Sequence, residues 1–257
     1  MKIAIFGDSF AVNEIENGRI TDKKRVKDGF SYTNELSKKY DVTNFAFSGS
    51  GLYWSYQQYT AHSYKFDKSI FVASNNDRFN LKNNNREFRE LNWSPTRLPT
   101  KKKEIKNYKK SWDHIYKKNN FPYTIDEVIK HVKWYYRHIF DEKQSNLMSR
   151  LIVNDIEKNK NTLVIPVFQS SYKVKNDVFI KNYKCSTSLV QVLDQLEDPY
   201  YNMDFSNGAD NKFCHLSDEN NKILFDKIVN WIENDEFSLH LNDFVTPSDD
   251  VRKYLKS

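Results

Sequence analysis

The sequence predicts an α/β protein: a parallel sheet with helices on both faces, interrupted by one long insertion. Three observations predict it. Apolar runs of strand length, at Lys2–Phe6, 42–47, 69–73 and 162–168, alternate with stretches whose apolar residues recur at helical spacing. The runs are apolar through most of their length, as strands covered on both faces are. The first three also run directly into turns rich in Gly, Ser, Asn and Asp.

The chain has 257 residues, enough for one large α/β domain with an insertion or for two small domains. Its hydrophobic share of 39% supports a packed core and excludes global disorder. The 16 Tyr and 18 Phe imply a core built largely from rings, with exposed aromatics available to line a cleft. A net charge of +6 favours anionic partners, but charge alone does not make nucleic acid the expected one. The two cysteines, Cys185 and Cys214, have neither metal-type spacing nor enough partners for a disulfide framework. The opening strand is too short for a signal-peptide core, and no apolar run reaches the ~20 residues of a membrane span. The expectation is a soluble chain, cytoplasmic by default, with export in a phage particle as the alternative.

In chain order, Lys2–Phe6 is the first strand and ends at Gly7; residues 30–39 read as a helix. The second strand, 42–47, enters Ser48-Gly49-Ser50-Gly51, and the third, 69–73, enters Ser74-Asn75-Asn76-Asp77. A polar insertion at about 80–145 follows, with a helical segment over 125–140. Leu147, Leu151, Ile152 and Ile156 mark a helix ahead of the fourth strand, 162–168. Residues 169–214 carry no clear pattern. Ser217 can cap a helix with Ile223, Leu224, Ile228, Trp231 and Ile232 on one face, and the last 20 residues read as a polar tail. The expected organisation is one domain over 1–240 with the insertion inside it, then a tail over 241–257.

Four short blocks carry the chemistry. Gly7-Asp8-Ser9-Phe10 places a serine at the carboxyl end of a parallel strand, where open α/β sheets put their ligands. On its own, such a turn is more often structural than catalytic. Glycine in Ser48-Gly49-Ser50-Gly51 exposes a backbone N–H of the kind an oxyanion donor needs. Asn76 offers a side-chain donor, and His215 stands in Asp210-Asn-Lys-Phe-Cys-His215-Leu-Ser just before the last helix. Gly7, Gly49 and Gly51, three of the six glycines, fall within these blocks.

In that order the blocks resemble those of the SGNH (GDSL-like) hydrolase family. The resemblance covers 1–80 and about 160–235 and implies the family's three-layer α/β/α sandwich around a parallel, flavodoxin-like sheet, here with a mostly helical insertion. It implies Ser9 as nucleophile, His215 as base, and an oxyanion hole from Ser9, Gly49 and Asn76, with no cofactor and no metal. Two positions depart from the pattern. Ser74 stands where the third block has its leading glycine, and Lys212 stands where the family carries an Asp three residues before the His. Asp210 is the first substitute for that acid, Asp204 the second, and a Ser–His dyad oriented by a backbone carbonyl the third. No Gly-x-Ser-x-Gly elbow occurs, so the α/β-hydrolase arrangement does not apply.

The implied function is serine ester hydrolysis on a small-molecule or glycan ester, in the first instance removal of O-acetyl groups from carbohydrate. The alternatives are O-acyl transfer on the same machinery and a non-catalytic polyanion- or glycan-binding protein that keeps the fold. Other features take plainer readings. His131 and His138 share a helix face without a third ligand, and Trp134, Tyr135 and Tyr136 read as packing rather than a sugar platform. The aromatic-laced lysines of 101–118 read as a solvated face before they read as a polyanion surface, and Cys214 as a buried neighbour of the base.

Overall fold

A computed structural model describes residues 1–12, 30–47, 50–74, 124–168, 184–197 and 216–247, together with short strands at 79–81, 89–91, 173–174 and 177–178. The chain forms two compact units: Met1–Asn76 with Asn146–Ser257, and Asp77–Ser145.

The larger unit is built on a parallel four-stranded sheet of β1 (Lys2–Phe6), β2 (Asp41–Asn44), β3 (Lys68–Ala73) and β6 (Thr162–Pro166), in the order β2-β1-β3-β6. Ile3, Ile5, Ile70, Phe71, Leu163 and Ile165 are fully buried, which accounts for the apolar runs. Pro166, which cannot donate to a ladder, is tolerated because β6 is the edge strand among the described residues.

Strand alternation fixes which helix covers which face. Phe6 and Phe71 are register partners, and both rings meet Tyr59 of α2 (Leu52–His62), at 5.5 and 5.7 Å. Lys68, an odd number of positions from Phe71, points the other way. Its Nζ donates to the Trp231 carbonyl at 3.1 Å and lies over that ring in α6 (Asp218–Asn234). Helix α1 (Tyr32–Lys39) shares this second face: Lys39 and Tyr40 both donate to Glu233 of α6. On the first face, Tyr56 of α2 donates to Asp155 in α4 (Glu142–Ile156) at 2.6 Å. Helices therefore cover both faces, as the α/β reading requires.

Four details differ from the sequence-based expectation. Strand β2 is not covered on both faces, since its residues alternate exposed and half-buried, and it stops at Asn44 rather than 47, because the Asn44 side chain takes the Ala46 N–H and bends the chain. Phe45 and Phe47 nevertheless still donate to the Ile5 and Gly7 carbonyls of the first strand and its turn. In α4 the buried stripe is Ser149, Ile152, Val153 and Ile156, whereas Leu147 and Leu151 are more than half exposed. The helical period is right, but two of the four residues chosen to mark it lie on the wrong stripe. Residues 238–247, expected as tail, are packed: β10 (Ser238–Leu239) pairs in parallel with β9 (Lys184–Cys185), and Leu239 and Phe244 are buried. The patternless stretch before His215 also holds β7 (Lys173–Val174), β8 (Asp177–Val178), and α5 (Leu189–Val192), which passes into a π turn over Leu193–Glu197.

The smaller unit contains an antiparallel pair, β4 (Phe79–Leu81) and β5 (Arg89–Leu91), and the helix α3 (Ile125–His138). Helix α3 starts with a reciprocal cap. Thr124 Oγ1 accepts the Glu127 N–H at 3.3 Å, and Glu127 Oε2 accepts the Thr124 N–H at 2.7 Å. It buries Val128, Ile129 and Val132, while Tyr135 and Tyr136 pack against Phe140. Trp134 is 54% exposed, so the packing expected for all three aromatics holds for the tyrosines only. Among the described residues no helix is long and apolar enough to cross a membrane.

Candidate active site

The sheet order contains a switch: the chain leaves β1 towards β2 on one side and returns to β3 on the other. At such a point the crevice outside the carboxyl ends of the two central strands is open to ligand. Gly7, Asp8 and Ser9 follow β1 directly into that place.

Gly7 has φ +154, and a Cβ there would sit 2.7 Å from the Val72 Cβ and 3.0 Å from the Ala11 Cβ. Only glycine lets the backbone turn this close to β3. Asp8 is fully buried and ties the turn from within: its Oδ1 accepts the Phe10 N–H at 3.0 Å and its carbonyl accepts the Ala11 N–H at 2.9 Å. Neighbouring elements hold two further carbonyls. Tyr32 Oη donates to Phe10 O at 2.6 Å, and Asn44 Nδ2 to Ala11 O at 2.7 Å. Between Ile3 and Val12, Ser9 alone is not buried. A rigid turn thus presents one hydroxyl.

The ends of the other strands close on the same turn. Phe47 donates its N–H, and Ser50 its hydroxyl, to the Gly7 carbonyl, at 3.0 and 2.9 Å. Ser50 N–H returns to Phe47 O at 3.0 Å, and Ser74 Oγ lies 3.5 Å from Ser50 O. Gly51 is the N-cap of α2, whose first turn carries no acidic residue of its own.

Of the residues the sequence assigns to the site, Ser9 is placed by the structure. Gly49, Asn76, His215 and Asp210 lie outside the described residues, as do Asp204, Asp77 and Cys214. What is described are their flanks. Phe47 and Ser50 bracket Gly49, Ser74 stands two residues before Asn76, and Leu216 follows His215.

The segment after His215 is anchored by a group that sequence inspection missed. Glu197 is fully buried, and both its oxygens accept the Ser217 N–H, at 3.0 and 3.1 Å. Its Oε1 also accepts from Asn220 Nδ2 at 2.7 Å, and Asn221 Nδ2 donates to the Leu216 carbonyl at 2.9 Å. The first N–H groups of a helix lack partners within it, and the Glu197 oxygens supply one for the first turn of α6. Tyr32 and Ser50 were likewise not foreseen as supports. Ser50 lies inside the second block and Asn44 in the run that leads into it, where a role could have been sought; Tyr32 and Glu197 carry no sequence signal.

One Ser–His contact is present among the described residues. Ser186 Oγ and His240 Nδ1 are 2.7 Å apart, but Asp243 accepts the His240 backbone N–H rather than a ring proton, so the group closes a turn. Cys185 is no nucleophile: burial, reinforced by Glu157, pushes its thiol up to about 12. Among the described residues no three His, Cys, Asp or Glu side chains come together as a metal would require. Comparison with protein-family models, curated proteins and solved structures gave no match.

Proposed function

We propose that the chain is a serine ester hydrolase of the SGNH type, with Ser9 as nucleophile and His215 as base. The observation that carries this reading is Ser9 itself: the one residue that is not buried on an otherwise buried, hydrogen-bonded turn, at the switch point of a parallel sheet. Such rigidity is what a nucleophile needs, because its approach to a carbonyl depends on sub-ångström placement. The resemblance in the four sequence blocks supplies the partners.

In this reading His215 takes the Ser9 proton as the oxygen attacks the ester carbonyl, forming a tetrahedral oxyanion. The Ser9 and Gly49 N–H groups and the Asn76 amide hold that charge, and the positive end of α2 adds to the field. Collapse expels the alcohol, which takes the proton from His215. Water, deprotonated by His215, then releases the acid and restores Ser9. Asp210 is the first choice to orient His215. The fold is that of the SGNH sandwich, and the substrate an O-acylated small molecule or glycan. Acyl transfer would share the first half of the cycle, and adding a sugar acceptor separates the two by product.

The test is p-nitrophenyl acetate turnover by the intact chain and by Ser9→Ala. The variant should lose at least ~10³-fold in kcat while melting at the parental temperature. Equal turnover by the two proteins would remove the reading. A loss limited to Asn76→Ala of ~10²-fold would match one oxyanion donor.

A further inference from the structure

The charge of the chain is divided unevenly between its two units. Residues 77–145 hold 17 Lys and Arg against 9 Asp and Glu, a net +8, whereas the rest holds 23 against 25, a net −2. The smaller unit therefore accounts for more than the whole excess of positive charge. Its described helix shows how such charge is displayed. The two acidic residues of α3, Asp126 and Glu127, sit in its first turn, where Glu127 is engaged with Thr124. Beyond that turn the exposed charged residues are Lys130, Lys133 and Arg137, and none of them is ion-paired among the described residues. At 100° per residue, Lys130, Trp134 and Arg137 fall within one narrow stripe with Lys133 at its edge. Trp134 stands exposed in that stripe.

We propose that the Asp77–Ser145 unit binds an acidic polysaccharide through this face of α3, with Lys130, Lys133 and Arg137 on its anionic groups and Trp134 against a sugar ring. The choice of glycan over nucleic acid rests on the esterase reading. Nucleic acids offer phosphodiesters, whereas acidic glycans carry O-acyl esters of the kind Ser9 would cleave. The chain enters the unit three residues after Ser74, so a bound polymer raises the local concentration of ester groups for the same molecule. A long ligand achieves this without any fixed arrangement of the units.

The experiment measures binding of the full-length Ser9→Ala chain to polygalacturonate, heparin and a single-stranded oligothymidylate across a salt series. Using that variant separates binding from turnover, while p-nitrophenyl acetate hydrolysis by the parent reports on the esterase reading alone. The expected result is binding to at least one polysaccharide more tightly than to the oligothymidylate. Combining Lys130→Gln, Lys133→Gln and Arg137→Gln, which keeps good helix formers, should weaken it at least about tenfold and flatten the salt dependence. Trp134→Ala should weaken it several-fold with the salt dependence unchanged. Absence of polysaccharide binding, preference for the oligothymidylate, or unchanged affinity in the triple variant would each overturn the proposal.

Discussion

At Gly7 one hydrogen atom in place of a side chain decides whether the first turn can form. Its φ of +154 disfavours any L side chain, and the Val72 and Ala11 carbons leave no room for a methyl group. Gly7→Ala should cost about 2–4 kcal/mol, conformational strain and overpacking together, and urea unfolding of the purified variant measures it. A loss below about 0.5 kcal/mol would mean that the turn is looser than described. Glu197 is the corresponding residue at the other end of the sequence. Replacing it with Ala leaves the buried Ser217 N–H without its acceptor, which should cost about 1–3 kcal/mol, with Glu197→Gln losing less because an amide oxygen remains.

At the scale of elements, α2 and α4 are tied across the first face of the sheet by Tyr56 and Asp155. The hydrogen bond to Asp155, then burial, pushes the Tyr56 hydroxyl up to about 12, and Lys158 followed by Tyr56 holds the Asp155 carboxyl below its usual value. The raised tyrosine contributes stability that is complete below about pH 10 and lost as the pH climbs through about 12. The lowered carboxyl contributes stability that is present above its ordinary titration, near pH 4, and lost as the pH falls through its folded value. The parent should therefore melt at a nearly constant temperature between these limits as far as this pair is concerned. Tyr56→Phe should melt lower within that window, with the difference shrinking at both ends. A difference that stays constant from pH 3 to 11 would assign the effect to packing rather than to the hydrogen bond.

For the whole molecule, β1, β3 and β6 were legible because parallel strands covered on both faces must be apolar; β2, expected to be buried as well, alternates exposed and half-buried residues. The helices were legible from their period, and the Ser217 cap from residue type. Stripe choice in α4 was not, since Leu147 and Ile152 are equally apolar and only tertiary packing separates them. Nor was the packing of 238–247: a two-residue strand pair is too short to leave a periodic signal, and Phe237, Leu239 and Phe244 are scattered among polar neighbours. Within the site, Ser9 could be read from the turn that follows β1. Its support from Tyr32 could not, because that side chain acts through a backbone carbonyl of a residue distant in sequence, and the same holds for Glu197 at the start of α6, which acts through a backbone N–H. The central claim is that Ser9 is the one activated hydroxyl of the chain, and Ser186 beside His240 is its natural rival. Treatment of the native full-length protein with a fluorophosphonate, followed by peptide mass mapping, tests this directly. A single stoichiometric adduct on the peptide containing Ser9, still formed in Ser186→Ala, is the predicted result; an adduct on Ser186, or no adduct at all, would contradict the account.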